Sequence, residues 1–519
     1  MRAYINAKIW KSEDTAFLVD GNTIVQTGKD QEIEEAAGKG EIINLNGMFV
    51  TPGFTDSHMH LASLGSLLDS LRLDAVTDYE GLKKAVQKYA ASLENGQWVI
   101  GRGYHESRFT DGMVLNRQLL DEICSSHPVM LKRTCGHVAV INSKAIEEAG
   151  IDENTEIEGG RIRLEEGILE ENAIDYVSEK LPVPSEKEMI QAVEKGAACC
   201  NAHGITAVGS DDLLSLSSDY RDMLNVLEKL SYQDRLTVRI NEQCRFGDPK
   251  QFASFLDDGY TMDVGNEFFK IGPLKIITDG SLGGRTAAMR MPYTDEPENK
   301  GVMTMDEEEI ETFVQLAHRF NMPVIAHAIG DEAVEVMLDI FKENTYEGNP
   351  LHDGLVHCQI MSKAQMRRII AMNLVCYIQP QFIDADAEIL ESRVGKSRAK
   401  ASYPFKSLYE GTLTSGGSDA PVEMCDPLAG IQFAVTRKSV SFDAEMNQEE
   451  CMDVDQAIAL FCEKGYETMF MNDEYGKIAP GYKADFTVID QDIREMKPEE
   501  ISKARIMMTV SDGRTVFER

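Results

Sequence analysis

The sequence predicts an α/β fold built on an eight-stranded parallel (β/α)8 barrel, the TIM barrel. Short apolar segments alternate with helical patterns through the middle of the 519-residue chain, which is typical of a closed parallel barrel. Such a barrel with insertions commonly takes several hundred residues, so the length suits one barrel with appended parts. The eight predicted strands are Gly53–Ser57, Ile205–Gly209, Leu236–Asn241, Leu274–Thr278, Val324–His327, Leu355–His357, Leu374–Gln379 and Thr412–Ser418.

Both ends of the chain are predicted to be β-structure, and a further subdomain is predicted inside the barrel sequence. Short β-like segments with turn signals at Asn46-Gly47 fill residues 1–50, and similar segments fill the last forty residues, so we expect the ends to share one sheet domain. The interval from about residue 70 to 190 is too long for one connection between strands. It contains its own strand, Val129–Arg133, and is interpreted as an inserted α+β subdomain near the barrel mouth.

Composition and charge narrow the class of protein. Hydrophobic residues make up 43% of the chain and charged residues 27%, as in globular proteins with a large core. The formal net charge of −35 disfavours nucleic acid and anionic membranes as partners, because phosphate binding needs a basic surface. We therefore expect a small-molecule substrate, no nucleic-acid or membrane partner, and a homodimer as the default assembly.

Cysteine usage and the first residues predict a cytoplasmic location. The ten cysteines have no regular short spacing, which favours reduced thiols, and residues 1–6 lack the apolar core of a secretory signal. No apolar run approaches the roughly 18 residues that suggest a membrane span.

Two histidines at the end of the first predicted barrel strand suggest a metal site. His58 and His60 are two residues apart, so on a strand their side chains leave the same face, and imidazole suits a divalent ion such as zinc. The pair alone is equally compatible with surface or packing histidines. His327 and His357 each end a later apolar segment, where they would face the same barrel mouth, although a buried core histidine is the alternative for either.

Asp419 and Lys275 complete this candidate set. Asp419 follows a strand of small residues that leaves room for a ligand, and a helix N-cap is its alternative role. Lys275 lies inside an apolar strand, which is costly unless the charge is paired or neutralised. A buried ion pair is one solution; the other is a neutral amine that takes up carbon dioxide to give a carbamate able to bridge two cations about 3.5–4 Å apart. The histidines without a strand-end setting are interpreted as structural: His127, His203, His318 and His352.

Over essentially its whole length the chain resembles the amidohydrolase superfamily, in the amidohydrolase 3 or YtcJ-like branch that includes N-substituted formamide deformylase. The stretches that carry the resemblance are Val50–His60, Leu274–Ala288, Gln379–Asp384, Gly417–Val422 and Gly476–Asp485. The resemblance implies a composite β-sandwich domain from residues 1–52 and 478–519, and a hydrolase barrel over residues 53–477.

The resemblance also implies roles for the six candidate residues. His58 and His60 would hold one divalent ion and His327 and His357 a second, zinc in the first place, with carboxylated Lys275 as the bridge. Asp419 would contact the metal-bound water and act as the catalytic residue. A metal-bound hydroxide would then attack a carbonyl carbon and cleave an amide, N-formyl or related C–N bond.

Weaker predictions concern substrate binding, and two other functions stay open. Substrate contacts are predicted for Arg285, Tyr104, His105, His137 and Gln379, with a loop-stabilising salt bridge as the alternative role of Arg285.

A mononuclear deaminase is the nearest alternative function, but such an enzyme usually has a glutamate where Gly330 stands. A non-catalytic regulatory or binding protein on the same barrel is the third reading, because a fold alone does not prove activity.

Overall fold

The computed structural model of the protein describes residues 1–73, 75–94, 96–104, 109–133, 138–157 and 160–519, without the side chains of residues 171, 172 and 175. The chain forms two compact units. The larger unit joins Met1–Gly65 to Glu186–Arg519, and the smaller unit is Ser66–Ser185.

The described strands are numbered in chain order. They are β1 (Arg2–Ile5), β2 (Lys8–Ile9), β3 (Ala16–Asp20), β4 (Thr23–Gly28), β5 (Glu41–Asn44), β6 (Phe49–Pro52), β7 (Phe54–Met59), β8 (Leu71–Arg72), β9 (Val99–Tyr104), β10 (Val129–Arg133), β11 (Val138–Ile141), β12 (Gly160–Arg163), β13 (Ile168–Glu171), β14 (Ile205–Ser210), β15 (Arg239–Arg245), β16 (Phe269–Ile277), β17 (Val324–Ala328), β18 (Gly354–His357), β19 (Val375–Ile378), β20 (Thr414–Gly416), β21 (Phe486–Ile489), β22 (Ile506–Ser511) and β23 (Arg514–Glu518).

The described α-helices begin in many cases at a side chain that caps the first turn. Asp219, Asp306 and Ser362 accept hydrogen bonds from backbone N–H groups two or three residues on. The helices are α1 (Asp30–Ala37), α2 (Leu61–Asp69), α3 (Tyr79–Ala90), α4 (Arg117–Ile123), α5 (Ser143–Glu148), α6 (Asn172–Ser178), α7 (Glu186–Ala202), α8 (Tyr220–Tyr232), α9 (Pro249–Asp257), α10 (Glu307–Arg319), α11 (Asp331–Asn344), α12 (Lys363–Ala371), α13 (Ile383–Ala399), α14 (Phe405–Gly411), α15 (Pro427–Thr436), α16 (Val454–Leu460) and α17 (Glu463–Thr468). None of the helices in the described ranges has both the length and the apolar character that a bilayer crossing requires.

The larger unit contains a nearly closed barrel of eight parallel strands, as the sequence predicts. The hydrogen-bonded order is β7-β14-β15-β16-β17-β18-β19-β20. The two edge strands meet just beyond their ends, where the backbone N–H of Asp419 donates to the carbonyl of His58 (2.8 Å) and that of His60 donates to the carbonyl of Ala420 (2.7 Å). The carboxyl ends of the strands therefore converge on one mouth, where active sites of such barrels form.

Strand positions differ from the prediction where polar residues lie inside the barrel. The third strand is Arg239–Arg245 and not Leu236–Asn241, because Glu242 and Gln243 are fully buried although they are polar. Near the start of the chain, where the sequence predicts short β-like segments, the strands β1 and β2 are separated at Asn6, which has a left-handed backbone conformation (φ 54°).

Residues from both ends of the chain share a five-stranded sheet in the order β2-β6-β21-β22-β23, beside a four-stranded sheet in the order β4-β3-β1-β5. Aromatic rings of Tyr4, Phe17 and Phe486 pack together with centroids 4.9–5.0 Å apart, which connects the two sheets. A buried ion pair between Arg239 of β15 and Asp485 (2.9 Å) connects this region to the barrel. The division into domains at residues 52 and 478 stays a prediction.

The smaller unit has its own sheet, in the order β12-β13-β11-β10-β9-β8. The predicted strand Val129–Arg133 is β10 and pairs parallel to β9 and antiparallel to β11. Apolar side chains of this unit form two buried clusters, one that contains Leu120 and Val129 and one that contains Met130 and Ile174. A strand, by alternating its side chains, supplies both clusters.

Candidate metal centre

Four of the six predicted ligand residues are in direct contact at the carboxyl ends of β7, β16 and β20. Asp419 Oδ1 lies 3.4 Å from His58 Nε2 and 3.2 Å from His60 Nε2. Lys275 Nζ lies 3.4 Å from His58 Nε2. One potential ligand atom from each of His58, His60 and Asp419 lies within 4.8 Å of the other two.

Hydrogen bonds behind the two histidines fix which ring nitrogen faces this cluster. His58 Nδ1 donates to Gln243 Oε1 (2.5 Å), and His60 Nδ1 donates to the carbonyl of Asp211 (2.9 Å). Each Nε2 is then the nitrogen with a lone pair, as is usual for imidazole ligands of metals. Asp419 Oδ1 is buried without a hydrogen-bond donor. Three lone-pair donors that meet in a buried place fit a divalent cation.

The electrostatic setting also favours a cation between His60 and Asp419. Burial disfavours a charged His60, but the close approach of Asp419 (3.2 Å) and the negative charges of Asp211 and Asp419 outweigh it and raise the His60 pKa to about 9. A divalent ion bound here would take the place of that proton. Burial, followed by the charge of Lys275, lowers the pKa of His58 well below its usual value, so His58 is neutral and able to act as a ligand.

His327 and His357 continue the cluster on the neighbouring strands. The His357 ring centroid lies 5.8 Å from that of His58 and 4.4 Å from that of His327. His357 Nδ1 donates to Gln379 Oε1 (2.8 Å), which leaves Nε2 as the nitrogen with a lone pair available to a metal. His327 Nε2 donates to the carbonyl of Gly280 (3.1 Å) and lies 3.3 Å from Asp279 Oδ1, so Nδ1 is the nitrogen with a lone pair available to a metal. The predicted second pair is thus adjacent to the first.

Backbone conformation at two ligands is strained. His357 (φ 81°) and Asp419 (φ 58°) both adopt left-handed conformations, which cost non-glycine residues about 1–3 kcal/mol each and occur often at functional sites. Close approach of β7 and β20 requires glycine at position 417, because a Cβ there would lie 2.7 Å from the backbone nitrogen of His58. The small residues that the sequence predicts to leave room for a ligand therefore make room for the backbone of the neighbouring strand β7.

Lys275 does not form the simple buried ion pair that the sequence left open, since it has no ion pair with any described residue. Its side chain is 3% exposed. Burial lowers the Lys275 pKa to about 8, although the charges of Asp211 and Asp419 oppose this change. Burial therefore increases the fraction of Lys275 that is a neutral amine, to about one tenth at pH 7.

Sequence reasoning missed three residues that position the ligands. Gln243 holds His58, the backbone of Asp211 holds His60, and Asp279 accepts hydrogen bonds from the backbone of Ile329 (3.1 Å) and Gly330 (2.8 Å) beside His327. Each lies in or directly after a barrel strand, at the carboxyl end. Polar residues at those positions were the available signal.

The weaker substrate predictions have mixed outcomes. Arg285 pairs with Asp295 (2.9 Å) and Glu296 (3.1 Å), which matches the loop salt bridge given as its alternative role. Gln379 is buried and holds His357, so we describe it as a positioning residue. Tyr104 is buried in the smaller unit, where its ring stacks on Phe109. His105 and His137 lie outside the described residues.

An eight-stranded parallel barrel with histidines and a carboxylate gathered at its strand ends is typical of metal-dependent hydrolases. The family model described as "Amidohydrolase family" matches residues 41–517. The chain is 32% identical over 515 residues to the amidohydrolase YtcJ of Bacillus subtilis (strain 168), covering 97% of this chain and 96% of that protein. It is 23% identical over 526 residues to N-substituted formamide deformylase of Arthrobacter pascens, covering 97% and 95%.

Solved structures give the same result. The crystal structure of a metal-dependent hydrolase from Pyrococcus furiosus is 28% identical in sequence, with a TM-score of 0.81, and the match covers 96% of this chain and 99% of that one. The chain belongs to the amidohydrolase family, in its YtcJ-like branch. It is a hydrolase that uses a divalent metal.

Proposed function

We propose that the protein hydrolyses a C–N bond of a small molecule, an amide, N-formyl or related bond, at the centre formed around His58 and Asp419. The full ligand set of the proposal is His58, His60, Lys275, His327, His357 and Asp419, with zinc as the best chemical match. The observation that carries the proposal is the contact of Lys275 Nζ with His58 Nε2 at 3.4 Å, next to Asp419 Oδ1. A single-metal site has no need of a buried lysine at this point.

Lys275 supports a centre with two ions. Its amine has a pKa lowered by burial to about 8, so it can add to carbon dioxide and release a proton, which gives a carbamate with a negative charge. That change converts a buried cation among histidines into an anionic ligand. We therefore propose N6-carboxylated Lys275 as the bridge between one ion at His58 and His60 and another at His327 and His357.

Asp419 is the residue that we propose to move the proton. When bound, the ions would lower the pKa of water and polarise a substrate carbonyl. Asp419 Oδ1 has no hydrogen-bond donor, so it can accept a proton from the attacking water and then deliver it to the departing nitrogen. Its neighbours hold it in place, because the backbone N–H of Asp419 is bonded to the carbonyl of His58.

The deaminase alternative is disfavoured by space as well as by sequence. A Cβ at Gly330 would lie 1.9 Å from the carbonyl oxygen of Ala288, so the backbone here admits no glutamate side chain. The deaminase alternative also leaves Lys275 without a function. A non-catalytic protein could bind metal at this centre, but it would not require the carboxylate oxygen of Asp419 that has no hydrogen-bond donor.

A hydrolysis screen with the full chain separates these functions. The N-formyl specificity of the Arthrobacter relative, as its name states, makes N-substituted formamides the first class to test, followed by N-acyl amino acids and cyclic amides. Hydrolysis yields a carboxylic acid and an amine. Ammonia release from an aromatic amine without acid formation would support the deaminase, and no turnover of any class with bound metal would support a binding protein.

Asp419→Asn tests the proton transfer with a substrate found in that screen. We expect the variant to keep its metal and to lose about 10²- to 10⁴-fold in turnover, the usual contribution of general acid–base catalysis. Asp234→Asn, on the surface, is the matched control and should retain wild-type turnover. Near-normal turnover of Asp419→Asn would remove Asp419 from the mechanism.

A further inference from the structure

A second cluster of potential metal ligands lies outside the centre described above. Cys199 Sγ lies 3.7 Å from Cys425 Sγ and 3.9 Å from His203 Nδ1. One ligand atom from each of these three residues lies within 4.8 Å of the other two. Cys425 is buried, whereas Cys199 and His203 are half-buried, so solvent and an entering ion can reach the cluster from one side.

We propose that Cys199, His203 and Cys425 form a further metal site for a thiophilic divalent ion of the Zn²⁺ class. In a tetrahedral site with Zn–S distances of about 2.3 Å, two thiolate sulfurs are about 3.8 Å apart, and a sulfur and an imidazole nitrogen are about 3.5 Å apart. The sulfur–sulfur distance of 3.7 Å already matches this geometry, and His203 Nδ1 lies 3.9 Å from Cys199 Sγ. His203 Nδ1 also donates to the carbonyl of Cys199 (2.9 Å), so an ion at this nitrogen would replace that hydrogen bond. Solvent at the open side would supply the fourth ligand.

The same residues fit a disulfide less well. The two sulfurs are thiols, and a bond between them would require them to approach to about 2.05 Å. A disulfide would leave His203 with only its hydrogen bond to the Cys199 carbonyl (2.9 Å), whereas a metal would also use the imidazole as a ligand. The adjacent Cys200 turns its thiol to Met59 Sδ (3.9 Å), and we assign it a packing role. The sequence alone predicts a structural role for His203, and the proposal adds the role of a metal ligand.

The position of the cluster gives the proposed ion a structural consequence. Cys199 lies in the last turn of α7 and His203 directly follows that helix, whereas Cys425 lies in the segment between Asp419 and α15. Asp426, the next residue, caps α15 by accepting hydrogen bonds from the backbone of Leu428 and Ala429. An ion here would tie α7 to the segment that follows Asp419. Binding replaces two thiol protons with the metal, so it releases protons.

Cadmium binding to the full chain tests the proposal, because only thiolate ligands give the intense ultraviolet sulfur-to-cadmium charge-transfer band. The centre at His58 contains no cysteine, so it does not contribute to that band. We expect the reduced, chelator-treated protein to develop the band to a plateau at one thiolate-bound cadmium per chain. Cys199→Ser and Cys425→Ser should lose it, whereas Cys451→Ser, which removes a partly exposed thiol elsewhere, should keep it.

His203→Asn separates a ligand from a neighbour. The variant keeps both thiolates and therefore the band, but we expect its affinity for cadmium to fall by more than about tenfold, since even the loss of a group behind a ligand costs about 10- to 100-fold. Circular dichroism and thermal melting check that each variant is folded. An unchanged affinity would overturn the assignment of His203.

A measurement on the wild-type protein keeps the test valid if a cysteine variant does not fold. Zinc should protect Cys199 from alkylation by iodoacetamide, as measured by peptide mass spectrometry, while Cys451 should react at the same rate with and without zinc. Three results would overturn the site: no charge-transfer band in the wild type, an equal band in Cys199→Ser, or alkylation of Cys199 that is independent of zinc. A Cys199–Cys425 disulfide in a protein that binds no cadmium after reduction would do the same.

Discussion

Replacing Gln243 with leucine removes the acceptor that orients His58. Gln243 is 1% exposed, and its Oε1 lies 2.5 Å from His58 Nδ1, while its Nε2 donates to the carbonyl of Ser57 (2.8 Å). Leucine has a similar volume and cannot accept a hydrogen bond. The variant therefore keeps His58 in the barrel but leaves its Nδ1–H without a partner in the tautomer that binds metal.

The size of the effect follows from this single bond. A buried donor left without an acceptor costs about 1–3 kcal/mol, and the cost applies to the tautomer that the metal needs. Because each 1.4 kcal/mol is about a factor of ten, we expect metal affinity to fall by about 10- to 100-fold. The ligands themselves are unchanged, so the number of ions at saturation should not fall.

Competition with a chelator of known zinc affinity measures the change. The reference protein and the Gln243→Leu variant should both carry Cys425→Ser, so that the proposed thiolate site does not contribute to the measured zinc binding. Gln365→Leu is the matched control, because Gln365 is also a buried glutamine (2% exposed) but bonds to the backbone of Asp331 on the outside of the barrel. It should lower thermal stability and leave zinc affinity unchanged. If Gln243→Leu binds zinc within about threefold of the wild type, the positioning argument is wrong.

Three further predictions concern Lys275, the Arg239–Asp485 pair and Glu423. Lys275→Ala should lower the metal content in the same background, with partial recovery when a short carboxylic acid is added. Asp485→Ala removes the closer carboxylate partner of the buried Arg239 (2% exposed side chain), leaves only the longer contact with Asp512 (3.4 Å), and should lower the free energy of unfolding by up to about 3–5 kcal/mol in urea titration. Burial, followed by the charges of Asp384 and Asp386, raises the Glu423 pKa to about 7 from 4.5. The protonated Glu423 therefore stabilises the fold fully below pH 4.5, and this contribution is lost as the pH rises to about 7. Glu423→Gln should reduce the loss of thermal stability across that window.

Each of these predictions has a control or a contrary result. Unchanged metal content in Lys275→Ala would argue against a bridging carbamate. For the buried pair, Asp234→Ala removes an exposed carboxylate (72% exposed side chain) that pairs with Arg514 and should cost less than about 1 kcal/mol. An equal effect of the two variants would refute the role of burial. For Glu423, parallel stability curves of wild type and variant between pH 4.5 and 7 would refute the pKa argument.

The barrel could be predicted from the sequence because most of its strands are apolar segments between helical patterns. Val324–Ala328 and Gly354–His357 match their predictions within a residue. The strand Arg239–Arg245 was displaced in the prediction because its buried residues include Glu242 and Gln243. The hydrophobic pattern identifies strands whose side chains are buried against helices. A strand with polar residues that face the barrel mouth has a sequence pattern typical of a loop, so it is harder to locate.

The sequence predicts the candidate ligand residues, but it does not predict the residues that hold them in position. The chemistry of His58, His60 and Lys275 is visible from residue type and strand position alone. The roles of Gln243 and of the Asp211 carbonyl depend on which strand is the neighbour and on a hydrogen-bond direction, and neither is encoded locally. The contact of Cys199 with Cys425 joins residues 226 positions apart and becomes visible only in the fold.

The pair of backbone bonds that joins His58 to Asp419 and His60 to Ala420 has a consequence for biosynthesis. The residues that close the barrel include the proposed ligands His58, His60 and Asp419, so neither the ring nor the proposed ligand set is complete until the ribosome has added residue 420. A nascent chain that stops earlier has an exposed strand edge on each side of the gap and an incomplete set of donors. Binding of an ion by the complete proposed ligand set therefore follows the synthesis of residues 1–420.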